Sequence, residues 1–346
     1  MKKIIVCFDG TGNEPGDAEQ NKQEAIEKDN SISNVLKIHL LLGGNIENNV
    51  STIIDQVSLY YPGVGVRGNF FKRLWRQAFA AKGPEVIINE AFDDLKQHYE
   101  KNDSLYIFGF SRGAAIARMF ACLLKNGIET KSNGKDAHPN IELLGVFDTV
   151  AAIGKPNLRS NYRPVSDVVF ENRKISPIIK NAVHLVSLDE NRLAFRPTLM
   201  NFQQNVTEVW FPGVHSDIGG GYYNDGLSDI ALEYMISKAK LNGLEFLSVD
   251  DLPETNLMGK DHNNDDIKID KAFLQINSDC NAQIHCHDEK WRKAFTKPRE
   301  ADVMQNDVPS RTEKIKVHQS VFDRKKKDSN YDPMSLRDID YTVVNE

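Results

Sequence analysis

The sequence predicts an α/β fold: a mostly parallel sheet with helices on both faces and a polar insertion late in the chain. Three observations predict it. Short, nearly continuous apolar runs bounded by turn residues recur along the chain, as strands buried on both faces require. Segments with apolar residues at helical spacing alternate with those runs, which is the order that parallel strands and crossover helices impose. A G-x-S-x-G pattern, Gly109 to Gly113, stands between one apolar run and an Ala-rich helical segment.

Composition bounds the reading. Of 346 residues, 40% are apolar, 27% charged and 9% aromatic. A sizeable core follows, and disordered, collagenous and coiled-coil classes are excluded. The length suits one large α/β domain with insertions, or two domains. With 43 basic and 49 acidic side chains the net charge is −6. That excludes the broad positive field of sequence-independent nucleic-acid binding, so no nucleic-acid partner is expected. No stretch reaches the ~18 apolar residues of a membrane span. Met1-Lys2-Lys3 is followed only by the apolar run Ile4 to Phe8 before Asp9, short of the ~7–15 residues of a signal-peptide core. The expectation is synthesis in the cytoplasm without a leader. Cys7, Cys122, Cys280 and Cys286 are too few and too scattered for a disulfide framework.

The elements follow in order. Lys3 to Phe8 reads as a buried first strand ending in Asp9-Gly10-Thr11-Gly12-Asn13, and Glu14 to Asn30 as a polar loop. Ser31 to Leu42 has helical periodicity, and Gln56 to Tyr61 is a second strand ending in Pro62-Gly63-Val64-Gly65. Pro84 to Tyr99 is helical, with Pro84 suited to a first turn. Ser104 to Phe108 is a strand that enters the G-x-S-x-G turn, and the helix beyond runs to about Leu124 with Asn126-Gly127 closing it. Ile141 to Phe147, Ala182 to Leu188 and Val206 to Phe211 are further strands, and Leu227 to Leu241 is a helix. This gives a core of residues 1–247, a polar insertion or subdomain over 248–310, and a C-terminal segment, 311–346, that packs back on the core. The run Arg324-Lys325-Lys326-Lys327 reads as a solvated face.

The chemistry centres on Ser111. A serine between strand and helix in G-x-S-x-G is a nucleophile elbow, whose turn admits only small flanking residues. The backbone N–H of Arg112, at the helix N-terminus, points toward an oxyanion forming beside Ser111. The plain alternative is a Gly-rich turn whose serine caps the helix. A serine hydroxyl needs a histidine base and a carboxylate to orient it. His215 lies in a turn-rich loop after a strand, where open α/β sheets place their sites, whereas His39, His98 and His184 sit inside elements and read as structural. Asp148 and Asp189 both end strands, and order along the chain leaves both open. A second oxyanion donor is expected from Thr11 or Gly10, with Asp9 and Asp217 positioning loops or binding an ion. The competing mechanism is a phosphatase like the haloacid dehalogenases, with Asp9 as nucleophile.

A set of segments occurs together and in order: Asp9 to Asn13, Tyr60-Tyr61-Pro62-Gly63-Val64-Gly65, Gly109 to Ala114, Gly145-Val146-Phe147-Asp148-Thr149-Val150, and Trp210 to Gly221. It resembles the DUF2235 family of α/β hydrolases, which includes the catalytic domain of type VI secretion phospholipase effectors of lipase family 1. Val317 to Arg324 and Tyr331-Asp332-Pro333 are similar to that family's C-terminal motif. Gly12 stands where many members carry Trp, and the secreted effectors are longer. The resemblance implies an α/β-hydrolase-like fold, a Ser111–Asp148–His215 triad that favours Asp148 over Asp189, and ester hydrolysis of the phospholipase A type without a cofactor. It further implies a phospholipid or other acyl ester as substrate, an immunity protein as partner, and export by a signal-independent secretion system. The same residues would serve a small-molecule esterase or thioesterase. The alternative from another class is a binding or regulatory protein that keeps the scaffold without turnover.

Two other segments carry weaker signals. Phe70, Phe71, Leu74 and Trp75 fall on one side of a helical wheel opposite Lys72, Arg73 and Arg76, the pattern of a membrane-surface helix and a route to peripheral membrane contact. Cys280, His285, Cys286 and His287 match no strong zinc spacing, and the alternation of Gln283, His285 and His287 reads as a plain strand, so no metal is expected.

Overall fold

The first strand, β1 (Lys3–Phe8), is buried on both faces, and this sets the architecture. Ile4, Val6 and Phe8 face one core cluster while Ile5 and Cys7 face the other, so an unbroken apolar run is what the position demands. The structure, a computed structural model, describes residues 1–13, 15–17, 22–47, 51–63, 84–151, 174–260, 265–285 and 295–345.

Along the chain β1 is followed by α1 (Lys22–Lys28), α2 (Asn34–Leu41), β2 (Gln56–Tyr61), α3 (Pro84–His98), β3 (Ser104–Phe110) and α4 (Ser111–Leu123). Then come β4 (Asn140–Phe147), β5 (Ile179–Ser187), β6 (Val206–Phe211), α5 (His215–Gly219), α6 (Gly226–Leu241), β7 (Ile315–His318), α7 (Gln319–Lys327) and β8 (Tyr341–Val344). The eight strands form one sheet in the order β8-β7-β6-β5-β4-β3-β1-β2. Every pairing in it is parallel. The chain steps from β1 outward to β2, returns to the other side of β1 for β3, and from there moves in one direction only. The reversal between β1 and β3 is a topological switch point, where the crevice at the strands' carboxyl ends takes ligands.

Helices α2 and α6 contribute to one core cluster, and α3 and α4 to the other. A third cluster, built from Val186, Trp210, Val317, Val321 and Tyr331, binds the C-terminal residues to the β5–β6 side.

The structure departs from the sequence reading in several places. The stretch Glu14 to Asn30, expected as a loop, contains α1, whose buried apolar side chain is Ala25, so it has no periodicity to betray it. Residues 311–346 do not merely pack back: β7 pairs with β6, and β8 with β7, as full members of the sheet. Within 248–310 lie two small antiparallel hairpins, Met258–Lys260 with Asp266–Lys268 and Val303–Gln305 with Val308–Ser310. In the basic run, Arg324 is buried and donates to the carbonyls of Cys280 and Ala282, while Lys325, Lys326 and Lys327 are exposed. His285 lies outside any strand. The membrane-helix residues Phe70, Phe71, Leu74 and Trp75 lie outside the described residues, as do Cys286 and His287.

Candidate active site

Ser111 sits where β3 turns into α4, with φ at +57°. A non-glycine residue in the left-handed region costs about 1–3 kcal/mol and persists only where its surroundings hold it. Two glycines make the turn possible by removing side chains from close contacts. A Cβ at Gly109 would stand 2.7 Å from Ala114 Cα, and one at Gly113 would stand 2.2 Å from the Asp9 carbonyl oxygen. The first turn of α4 therefore lies directly against the end of β1, and Ser111 is held at the switch point.

His215 begins α5, in the loop after β6. Its Nε2 is 2.8 Å from Ser111 Oγ, and its Nδ1 is 2.6 Å from Asp148 Oδ2. Asp148, at the carboxyl end of β4, is fully buried with φ at +39°. An ionised carboxylate only accepts, so Nδ1 carries the proton and Nε2 is left to accept from the Ser111 hydroxyl. The rings of Phe110 and Phe195, with centroids 4.7 and 4.9 Å from that of His215, shield it from solvent. Burial lowers the His215 pKa, opposed by the hydrogen bond and charge of Asp148. Burial alone would raise the Asp148 carboxyl, but Arg299 and the bond from His215 hold it well below the usual carboxylate range. Asp189 does not join this group: its Oδ2 accepts from the Gly213 N–H at 2.7 Å and the Tyr331 hydroxyl at 2.8 Å.

The loop after β1 is clamped through Asp9. Its carboxylate accepts from Ser33 Oγ at 2.5 Å, the Tyr60 hydroxyl at 2.7 Å and the Gly10 N–H at 2.6 Å. Burial pushes the Asp9 carboxyl up to about 6 against those bonds. The Gly10 N–H is thus engaged within the loop. The Thr11 hydroxyl is buried with no partner among the described residues. Asp217 steadies the next loop: it accepts from the Val214 N–H at 2.8 Å and from His285 Nδ1 at 2.5 Å. Among the histidines read as structural, His39 is buried between Ser58 Oγ and the Asn45 carbonyl, and His184 between Glu208 and the Thr149 N–H.

Sequence reasoning missed several residues here. Arg299 makes a two-pronged ion pair with Asp148, at 2.5 and 2.8 Å. Glu190 accepts from the His215 N–H and pairs with Arg192, whose guanidinium lies 3.8 Å from the centroid of Phe195. Ser33 and Tyr60 hold Asp9. Tyr60 lies in a segment already singled out, but nothing local marks Arg299, which is 151 residues from its partner.

A parallel sheet that reverses beside β1, with a serine on the strand-to-helix turn at that reversal, puts the molecule in the α/β-hydrolase class of folds. The chain belongs to the family described as "T6SS, Phospholipase effector Tle1-like, catalytic domain", whose model matches residues 2–137 and 126–238. A stretch of 246 residues is 27% identical to an uncharacterised protein of Saccharomyces cerevisiae, covering 56% of this chain and 32% of that one. Among solved structures, an uncharacterised protein from Pseudomonas aeruginosa is similar with a TM-score of 0.44 and 22% identity, over 71% of this chain and 46% of the other. The Tle1 effector bound to the VgrG spike of the type VI secretion system gives 0.40 and 23%, over 64% and 51%. The chain therefore spans between a third and about half of the length of these relatives.

Proposed function

We propose that this chain is a serine hydrolase that cleaves carboxylic esters through an acyl-enzyme, with the acyl chains of phospholipids as substrate. One observation carries the reading: the unbroken line from Ser111 Oγ through the His215 imidazole to the buried Asp148 carboxylate, at 2.8 and 2.6 Å. In this mechanism Ser111 Oγ attacks the ester carbonyl while His215 Nε2 takes its proton. The oxyanion is held by the backbone N–H groups of Arg112, in the first turn of α4, and of Thr11; each such donor contributes about 3 kcal/mol in comparable sites. The imidazolium then protonates the leaving alcohol, and a water deprotonated by His215 hydrolyses the acyl-enzyme.

A phosphatase using Asp9 as nucleophile fits poorly, because that carboxylate is 3% exposed and already accepts three hydrogen bonds. Family membership supports lipid as substrate and delivery by a type VI secretion system; an immunity protein as partner and peripheral membrane contact belong to the same reading.

The test compares the wild type with Ser111→Ala on mixed phospholipid vesicles and on a short-chain p-nitrophenyl ester, measuring released fatty acid and nitrophenol. Ser111-dependent fatty-acid release is expected. Nitrophenol alone would mean a small-molecule esterase or thioesterase, and silence on both, with Ser111 unlabelled by a fluorophosphonate, would mean a scaffold without turnover.

A further inference from the structure

The partner of Asp148 on the side away from His215 is Arg299, a buried guanidinium delivered by the polar segment before β7. Nη1 donates to Asp148 Oδ1 at 2.5 Å and to the Ser187 carbonyl at 3.0 Å. Nη2 donates to Asp148 Oδ2 at 2.8 Å and to the Phe195 carbonyl at 2.6 Å. The Ser187 N–H adds a bond to Asp148 Oδ1 at 3.0 Å. With His215 on Oδ2, each carboxylate oxygen accepts two hydrogen bonds, which uses its whole capacity and leaves no rotation open.

That arrangement bears on the base. A carboxylate this deeply buried needs a positive partner. With His215 as the sole partner, the carboxylate charge would favour the imidazolium and raise the pH below which His215 takes no proton from Ser111. The other charges that face His215 largely cancel. Glu190, after β5, is paired with Arg192 at 2.6 Å. Asp217, on α5 itself, is paired with His285 at 2.5 Å, and His285 Nε2 in turn lies 2.8 Å from Asp29. The elbow contributes Ser111 and, one residue on, Arg112.

We infer that Arg299 is a positioning residue of the site: by neutralising Asp148 and clamping both its oxygens, it lets His215 stand neutral and correctly oriented toward Ser111. The inference rests on the proposed Ser111–His215–Asp148 reading. It also explains why a segment outside the conventional core matters to the chemistry, since residues near 299 carry the charge that sets the base. Burial and the Arg299 charge both lower the His215 pKa, in keeping with this role.

The experiment measures the rate of Ser111 phosphonylation by a fluorophosphonate from about pH 5 to 9 in wild type, Arg299→Met and Arg299→Lys. In Arg299→Met the acid limb should move to higher pH, so that the rate near pH 6 falls roughly ten-fold more than the alkaline plateau does. Arg299→Lys, which keeps the charge but not the fork, should hold the limb in place while lowering the plateau. A merely structural Arg299 would lower the rate equally at every pH, and an unmoved limb in Arg299→Met overturns the inference. Should Arg299→Met not fold, Arg299→Gln takes its place, with the His215 ring titrated by proton NMR: a titration at higher pH than in the wild type supports the inference, and one that matches the wild type overturns it. A wild type that does not react at Ser111 at any pH sinks the hydrolase reading instead.

Discussion

Replacing Gly63 with alanine would put a methyl group where the loop after β1 has no room. Gly63 lies just beyond β2, and its N–H donates to the Asn13 carbonyl at 2.9 Å. Its φ lies outside the left-handed region, so alanine suits the backbone and the conflict is purely one of space. The added Cβ would stand 1.7 Å from the Gly10 carbonyl oxygen and 2.9 Å from the Thr11 nitrogen. Real Cβ atoms essentially never come nearer than 3.0 Å, so loop and strand end must part by at least 1.3 Å. Thr11 moves with Gly10, and a misplacement of ~1 Å at a reacting centre costs on the order of 100-fold in rate. Loss of one oxyanion donor costs a similar 10²–10³-fold, or about 3–4 kcal/mol. Steady-state kinetics on a p-nitrophenyl ester, with the thermal midpoint measured alongside, should show kcat falling ~100-fold and KM changing less than about 3-fold, because the oxyanion exists only in the transition state. If the variant is folded and kcat stays within about 3-fold of wild type, the Thr11 loop does not form the oxyanion site.

Two further outcomes are expected. Asp148→Asn should lose about 10⁴ in kcat by leaving His215 in the wrong tautomer, whereas Asp189→Asn, whose bonds go to Gly213 and Tyr331, should lose less than about ten-fold; the reverse ranking would move the carboxylate role to Asp189. The Asp9 carboxyl is raised from 3.8 to about 6 in the folded protein, so ionising it opposes folding: its contribution is most favourable below 3.8, falls as pH rises to about 6, and is constant above that. Asp9→Asn should therefore gain in thermal midpoint relative to wild type as pH rises through that window, and a difference that does not vary with pH would count against the buried charge.

The strands of the central sheet could be read from the sequence because burial on both faces demands apolar runs, and β1 has the bounds that its run suggests; β2 and β6 also keep the bounds read for them, although Ser58 interrupts one and Thr207 and Glu208 the other. The elbow was legible for a similar reason, since its turn needs glycine at fixed offsets from Ser111 and these are local requirements. Strands β7 and β8 escaped because each is four residues long; their strand character comes from the edge of β6, which they extend. At the site, sequence alone placed Ser111, His215, Asp148 and Asp189 at strand ends. It could not choose between the two aspartates, for that depends on which strand lies beside β3 and what turns each carboxylate. Local sequence determined which residues are buried and where the chain turns; tertiary structure decided that Asp148 meets His215 and that Arg299 reaches Asp148 from 151 residues away. Periodicity records burial along one element, whereas the worth of a charge depends on partners and desolvation that exist only once distant segments have packed together.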